Sequence, residues 1–267
     1  MLKLWEHFAG GAMARDFRTV MAVVAAACLF HGCRAADAPP PRRPQNGPAV
    51  NTAAPAAPEK VTLPSQSDEF ISFEGGLKVY PALKRVELEA TLLGGQRRPL
   101  EFLIVGPGGS AHEALFTVTA RSEHVKRGLE IIGLTEAAVK AQGRGYPEVP
   151  QGDGVRISVR FTHRDTGNVT MARVEDWLWN AVEKRPPEYG MFVFTGGIEQ
   201  YMPEANRSVV AADQLGNMAA VWHDASCIID NRAKHGAVSD VYSPNPDAPG
   251  LPRAGAHVVL VFEPEKP

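Results

Sequence analysis

The chain has 267 residues, 44% of them hydrophobic and 22% charged, enough for one sizeable core. A formal net charge of −2 and the lack of a basic stripe exclude a general attraction to nucleic acid. Of the three cysteines, Cys28, Cys33 and Cys227, only the last lies in the globular part; this excludes an internal disulfide there, a CxxC zinc site and a four-cysteine iron–sulfur cluster.

Residues 1–33 read as a signal peptide, with Met13 the expected start. Arg15 and Arg18 supply a charged beginning. Val20 to Phe30 form an apolar run of the length of a signal core, too short to span a bilayer as a helix. The segment ends in "LFHGC", which resembles a bacterial lipobox and makes Cys33 the expected lipidation site; cleavage between Ala35 and Ala38 is the competing expectation. Residues 34–66 follow as a tether. Eight of the chain's 22 prolines fall within 34–64, with few large apolar side chains, so the segment cannot offset its ordering entropy by burial. Proline keeps such a tether extended and semi-rigid.

The globular domain is expected over 67–267. "LKRVELEATLL" places Val86, Leu88 and Ala90 on one side of a strand, and "PLEFLIVGPGG" is a strand that ends in a turn. Next comes "GPGGSAHEALFTVTARSEH", with His112 beside Glu113. Three readings compete. A zinc-protease HExxH motif fails because Phe116 stands where its second histidine belongs. A strand suggested by "FTVTA" would send the two side chains to opposite faces. A brief helical turn would let Ser110 and Glu113 form a capping box. The expectation is that the pair fixes the backbone at the start of a strand and does not hold a catalytic metal. His112→Ala would then cost about 1–3 kcal/mol, provided that a buried hydrogen bond is lost.

"SEHVKRGLEIIGL" predicts a helix capped by Ser122, with Val125, Leu129 and Ile132 on one face and Gly133 at its stop. "GVRISVRFTHRDTGNVTMARV" alternates Val155, Ile157, Val159 and Phe161 with Arg156, Ser158, Arg160 and Thr162, a half-buried strand that turns at "RDTGN" and returns from Val169. Trp177 and Trp179 in "EDWLWN" suit either an aromatic platform or core packing. "SVVAADQLGNMAAVW" predicts a hairpin around Leu215, Gly216 and Asn217, "DASCIIDN" a short helix around a buried, inert Cys227, and "HVVLVFEP" a closing strand. His223, Asp224 and His235 could approach His112 only through the tertiary fold. The fold class expected is α+β, a single domain of mostly antiparallel sheet with few helices. No nucleotide-binding, P-loop, nucleophile-elbow or calcium-loop motif is present.

In order, "HEALFTVTARSEHVKRGLEIIGL", "GDGVRISVRF", "VEDWLWN", "FVFTGG", "ADQLGNMAAVW" and "DVYSPNPDAPGLPRAGAHVVLVFEP" resemble the YdjY-domain family of bacterial envelope proteins. The resemblance runs from about Leu77 to Pro264. It implies an envelope location and one domain, and names no reaction, metal or cofactor. The His-Glu and Asp-Trp pairs that recur in the family fall here on His112, Glu113, Asp176 and Trp177, which become the candidate binding residues. The expected function is a lipid-anchored envelope protein with a non-catalytic domain for a small molecule or another envelope protein. The alternative is an enzyme using His112 with an acidic residue as general acid/base or metal ligand.

Overall fold

The computed structural model describes residues 69–94, 98–204 and 206–266; the signal, tether and Cys33 expectations lie outside them. In chain order the strands are β1 (Ile71–Phe73), β2 (Leu77–Tyr80), β3 (Arg85–Leu92), β4 (Phe102–Val105), β5 (Ala114–Val118), β6 (Asp153–Thr162), β7 (Val169–Arg173) and β8 (Leu178–Asn180). They continue as β9 (Phe192–Phe194), β10 (Glu199–Met202), β11 (Arg207–Val210), β12 (Asn217–Ala220), β13 (Ile229–Asn231), β14 (Tyr242–Pro244) and β15 (His257–Pro264). Two α-helices accompany them, α1 (Ser122–Ile131) and α2 (Ala211–Leu215). Among the described residues no helix is long and apolar enough to cross a membrane.

The expectation of an α+β fold with an open antiparallel sheet is overturned. The protein is mostly β, 38% strand against 11% helical, and its central sheet closes into an eight-stranded barrel. The ring runs β3, β15, β6, β9, β13, β12, β4, β5 and returns to β3. Closure rests on Ala90, Thr91 and Leu92 pairing with Val118, Thr117 and Phe116. Alternation along one strand says which face is buried and nothing about which distant strand lies beside it, so closure was invisible locally. Two ring pairings, β12 with β13 and β4 with β5, are parallel, a crossover arrangement that a hairpin reading does not anticipate.

The periodic strands behave as their patterns require. Leu88 pairs with Leu260, which pairs with Val159; Val86, Phe262 and Ile157 form the next row, and all six are fully buried. The opposite face of the same strands carries charge. Arg160 grips Glu87 through two bonds of 2.7 Å, and Glu263 accepts from Arg85 at 2.8 Å and Arg156 at 2.5 Å. The strand β6 returns as β7 with Thr162 opposite Val169, as predicted.

Helix α1 forms where predicted, but its cap differs. Ser122 is its first residue and is buried, and no side chain of the preceding residue caps it. Instead Asp213 of α2 accepts from the Glu123 N–H at 3.1 Å and pairs with Arg121 at 2.9 Å. A neighbouring helix thus satisfies an orphan donor that local sequence assigned to serine.

The predicted hairpin around Gly216 is absent. Here α2 ends and β12 begins, while β11 pairs with β10. Gly216 has φ +71°, and a Cβ there would lie 2.2 Å from the Gly109 nitrogen. The "GPGG" turn and the end of α2 cross at this point, with the Gly106 N–H donating to the Gly216 carbonyl at 2.7 Å. The predicted helix over "DASCIIDN" is absent too. Asp224 takes the Ser226 N–H and hydroxyl into a tight turn, after which Ile229–Asn231 enter the sheet as β13. Cys227 is a free, buried thiol, and burial followed by the nearby Asp224 and Asp230 pushes its pKa well above the ordinary thiol value.

Candidate functional site

His112 and Glu113 lie on a single 3-10 turn, Ala111–Glu113, that feeds into β5. The helical-turn reading is right in backbone, but the capping box does not form, since Ser110 makes no side-chain cap. The turn is closed by its own backbone, with the Glu113 N–H on the Ser110 carbonyl at 3.0 Å, and Asn217 Oδ1 accepts from the Ser110 N–H at 3.3 Å. The His112 side chain is 67% exposed and sits 3.6 Å from Glu113. Among the described residues no group of three or more His, Cys, Asp or Glu side chains is arranged to hold a metal. The cost expected for a buried histidine therefore does not apply. His112→Ala and Glu113→Gln are each expected to change unfolding free energy by less than about 0.5 kcal/mol, as ordinary exposed positions do. Urea denaturation checks this; a loss above about 1 kcal/mol in either variant would contradict it.

The Asp176–Trp177 pair sits on a 3-10 turn, Val174–Trp177, and its two side chains part company. Trp177 is 1% exposed and packs against Phe161 at 5.0 Å and Phe116 at 5.8 Å between ring centroids, so it belongs to the core. Asp176 is half-buried and accepts from the Tyr189 hydroxyl at 2.9 Å; burial raises its pKa. Asn245 latches the turn, its amide donating to the Asp176 carbonyl and its N–H to the Trp177 carbonyl, both at 2.8 Å. Among the described residues no hydrogen bond or ion pair joins this pair to His112 or Glu113.

Tyr189 leads from Asp176 to a cleft of about 510 Å³. Asn180, Glu183, Tyr189, Arg232, Lys234 and His235 contribute its polar lining, and the buried Tyr242 ring lies at its base. The β8–β14 ribbon sets Asn180 opposite Tyr242. Asn180 Oδ1 accepts from the Val182 and Glu183 N–H groups at 3.0 and 3.1 Å, so its amide nitrogen is the group facing His235 Nδ1 at 3.3 Å. That assignment makes Nδ1 the acceptor and places the proton of the neutral ring on Nε2. Among the described residues neither His223 nor His235 shares a hydrogen bond or ion pair with His112; each is engaged at this end of the molecule.

Behind the cleft lies a buried polar network. Asp230 accepts from the Tyr146 hydroxyl at 2.6 Å, the Asn231 N–H at 2.6 Å and the Asp224 N–H at 3.1 Å. Burial nevertheless pushes the Asp230 carboxyl up to about 7 and raises the Tyr146 phenol as well. His223 bridges the Tyr146 and Asn231 carbonyls at 2.7 and 2.6 Å and stacks on the Tyr146 ring. Asn231 in turn donates to the Val221 carbonyl and accepts from the Ala233 N–H, fixing the bend that carries Arg232 and Lys234. Sequence reasoning missed Tyr146, Asn180, Asp230 and Asn231. One signal was present: an Asp-Asn pair directly after the apolar "CII" run, where a buried polar group needs partners.

The family model described as the YdjY domain matches residues 77–263, a span that contains both predicted pairs and every residue named in the cleft. No curated protein and no solved structure matches the chain.

Proposed function

The chain belongs to the YdjY-domain family, and we propose that it is a lipid-anchored protein of the bacterial envelope whose domain binds a small molecule without transforming it. The cleft carries this reading. A volume of about 510 Å³ falls in the range of small-molecule sites, and its polar groups converge from three chain segments. Its walls are held before any ligand arrives, since Asn180 and Asn231 spend their side chains on backbone groups of the two wall segments. A preformed wall lowers the ordering cost of binding. Of the four residues singled out from sequence, Asp176 touches this site through Tyr189. His112 and Glu113 do not line it, so the catalytic alternative built on them is not carried forward.

The envelope part of the reading is supported by the apolar run that ends in Gly32-Cys33 and by the proline-rich stretch after it. Such a tether suits a folded domain held at a membrane surface, and a stable anchor takes more than one acyl chain. Two measurements test the proposal. Intact mass after expression in a bacterium is expected to correspond to a chain starting at a lipid-modified Cys33; an unmodified product starting between Ala35 and Ala38 would refute the anchor. Native mass spectrometry of the full protein, released in mild detergent and incubated with a small-molecule extract of bacterial envelopes, is expected to retain one adduct per chain. Tyr189→Ala is expected to lose it. Retention of nothing would refute the binding reading.

A further inference from the structure

We infer that the cleft is selective for a carboxylate, with Arg232 as its anchoring cation. This deepens the binding reading above and rests on it. Two carboxylates line the cleft, Glu183 and Glu188, and Arg185 holds both, at 2.7 and 2.8 Å. Two cations line it, Arg232 and Lys234, and neither has a carboxylate within 4 Å among the described residues. Counting Arg185 with Arg232 and Lys234, three cations stand against two carboxylates, so the cleft of a chain with net charge −2 keeps an excess of one positive charge, on the two cations that no acid pairs.

The arginine is also held in place. Its Nε donates to the Gly190 carbonyl at 2.8 Å, while the N–H of the same Gly190 donates to Glu175 at 2.9 Å. Glu175 is fully buried and gripped by Arg173, which also holds Glu265. Arg173, Glu175, Gly190 and Arg232 thus form a chain of contacts running from the outer face of the barrel to the cleft. One backbone acceptor occupies Nε, and the remaining guanidinium donors stay available. A guanidinium fixed in this way suits the planar geometry of a carboxylate, and little rotamer freedom is left to lose on binding. The exposed Tyr189 ring provides apolar surface for the body of the ligand. The carboxylate could belong to a small free acid or to the C-terminus of a peptide.

Calorimetry on the full protein separates these cases. The probes are phenylacetate and phenylacetamide, together with acetyl-Ala-Phe as the free acid and as the amide. At least one acid is expected to bind about tenfold more tightly than its amide, a preference that added salt weakens. Tighter binding of acetyl-Ala-Phe identifies a peptide terminus as the source, and tighter binding of phenylacetate a free acid. Arg232→Met is expected to erase the acid preference. Lys234→Met, at an exposed position with no hydrogen bond or ion pair among the described residues, is expected to weaken acid binding about threefold with the melting temperature unchanged, so the inference is tested even if Arg232→Met fails to fold. Equal binding of acids and amides overturns the carboxylate inference and leaves the binding reading standing. So does failure of all four probes while the envelope-extract adduct is retained. Loss of the adduct itself removes both.

Discussion

Trp177→Ala is expected to lower the unfolding free energy by about 3–5 kcal/mol, the usual cost of truncating a fully buried large aromatic. The side chain is 1% exposed, its ring meets Phe161 edge-on at 5.0 Å and Phe116 at 5.8 Å, and these two neighbours come from β6 and β5, on different parts of the barrel. Removing it would leave a cavity that neither neighbour can fill without moving a strand. The indole nitrogen has no hydrogen-bond partner among the described residues, so Trp177→Phe forfeits no bond and is expected to cost much less. The pair of variants separates a core role from a ligand role. A packing residue shows Ala far worse than Phe in urea denaturation, with the cleft's ligand affinity unchanged in Phe. An Ala variant as stable as the wild type would overturn the core assignment.

The second large effect depends on pH. Burial raises the Asp230 carboxyl from its ordinary value near 3.8 to about 7 in the folded protein. Below pH 4 the carboxyl is protonated in both folded and unfolded chains, and its contribution to stability is fully present. Between pH 4 and 7 the unfolded chain releases the proton while the folded chain keeps it. That contribution is then lost progressively, and above pH 7 the loss is constant. A rise from 3.8 to about 7 corresponds to at most about 4 kcal/mol, and the three donors on the carboxylate already hold the value below what burial alone would give. An asparagine side chain cannot titrate, so Asp230→Asn isolates the effect: the wild type's stability relative to Asp230→Asn is expected to fall between pH 4 and 7 and then level off. Chemical denaturation at intervals across pH 4–8 measures it. A difference that stays constant over that interval would show that the network holds Asp230 ionised throughout.

These two residues also mark how differently parts of the molecule can be read from its sequence. Trp177 was a candidate because of the family pairing with Asp176, and its aromatic character allowed two readings, of which burial between Phe116 and Phe161 selects one. Asp230 drew no attention, because "DASCIIDN" reads as a short amphipathic helix until its polar ends are seen buried. The cleft is assembled from Asn180, Tyr189, Arg232 and Tyr242, positions scattered over some sixty residues and joined only by the β8–β14 pairing and the bend after β13. No spacing rule connects them. His112 and Glu113 show the reverse case: adjacency made them conspicuous, and exposure on a backbone-closed turn leaves them little structural work.

By itself the sequence determined the strands β3, β6, β7 and β15, the helix α1, the faces that Val86, Leu88, Ile157 and Val159 bury, and the family. Each of these follows from side-chain period or from the order of local segments, quantities that a single stretch of chain carries. Only the tertiary structure decided that β3 meets β5 to close a barrel, that Asp213 caps α1, and that Arg185 pairs with Glu183 and Glu188 while Arg232 has no acid partner among the described residues. The physical reason is common to all three. Pairing, capping across helices and charge neutralisation depend on distances through space, and residues far apart in the chain acquire those distances only when the core closes around them.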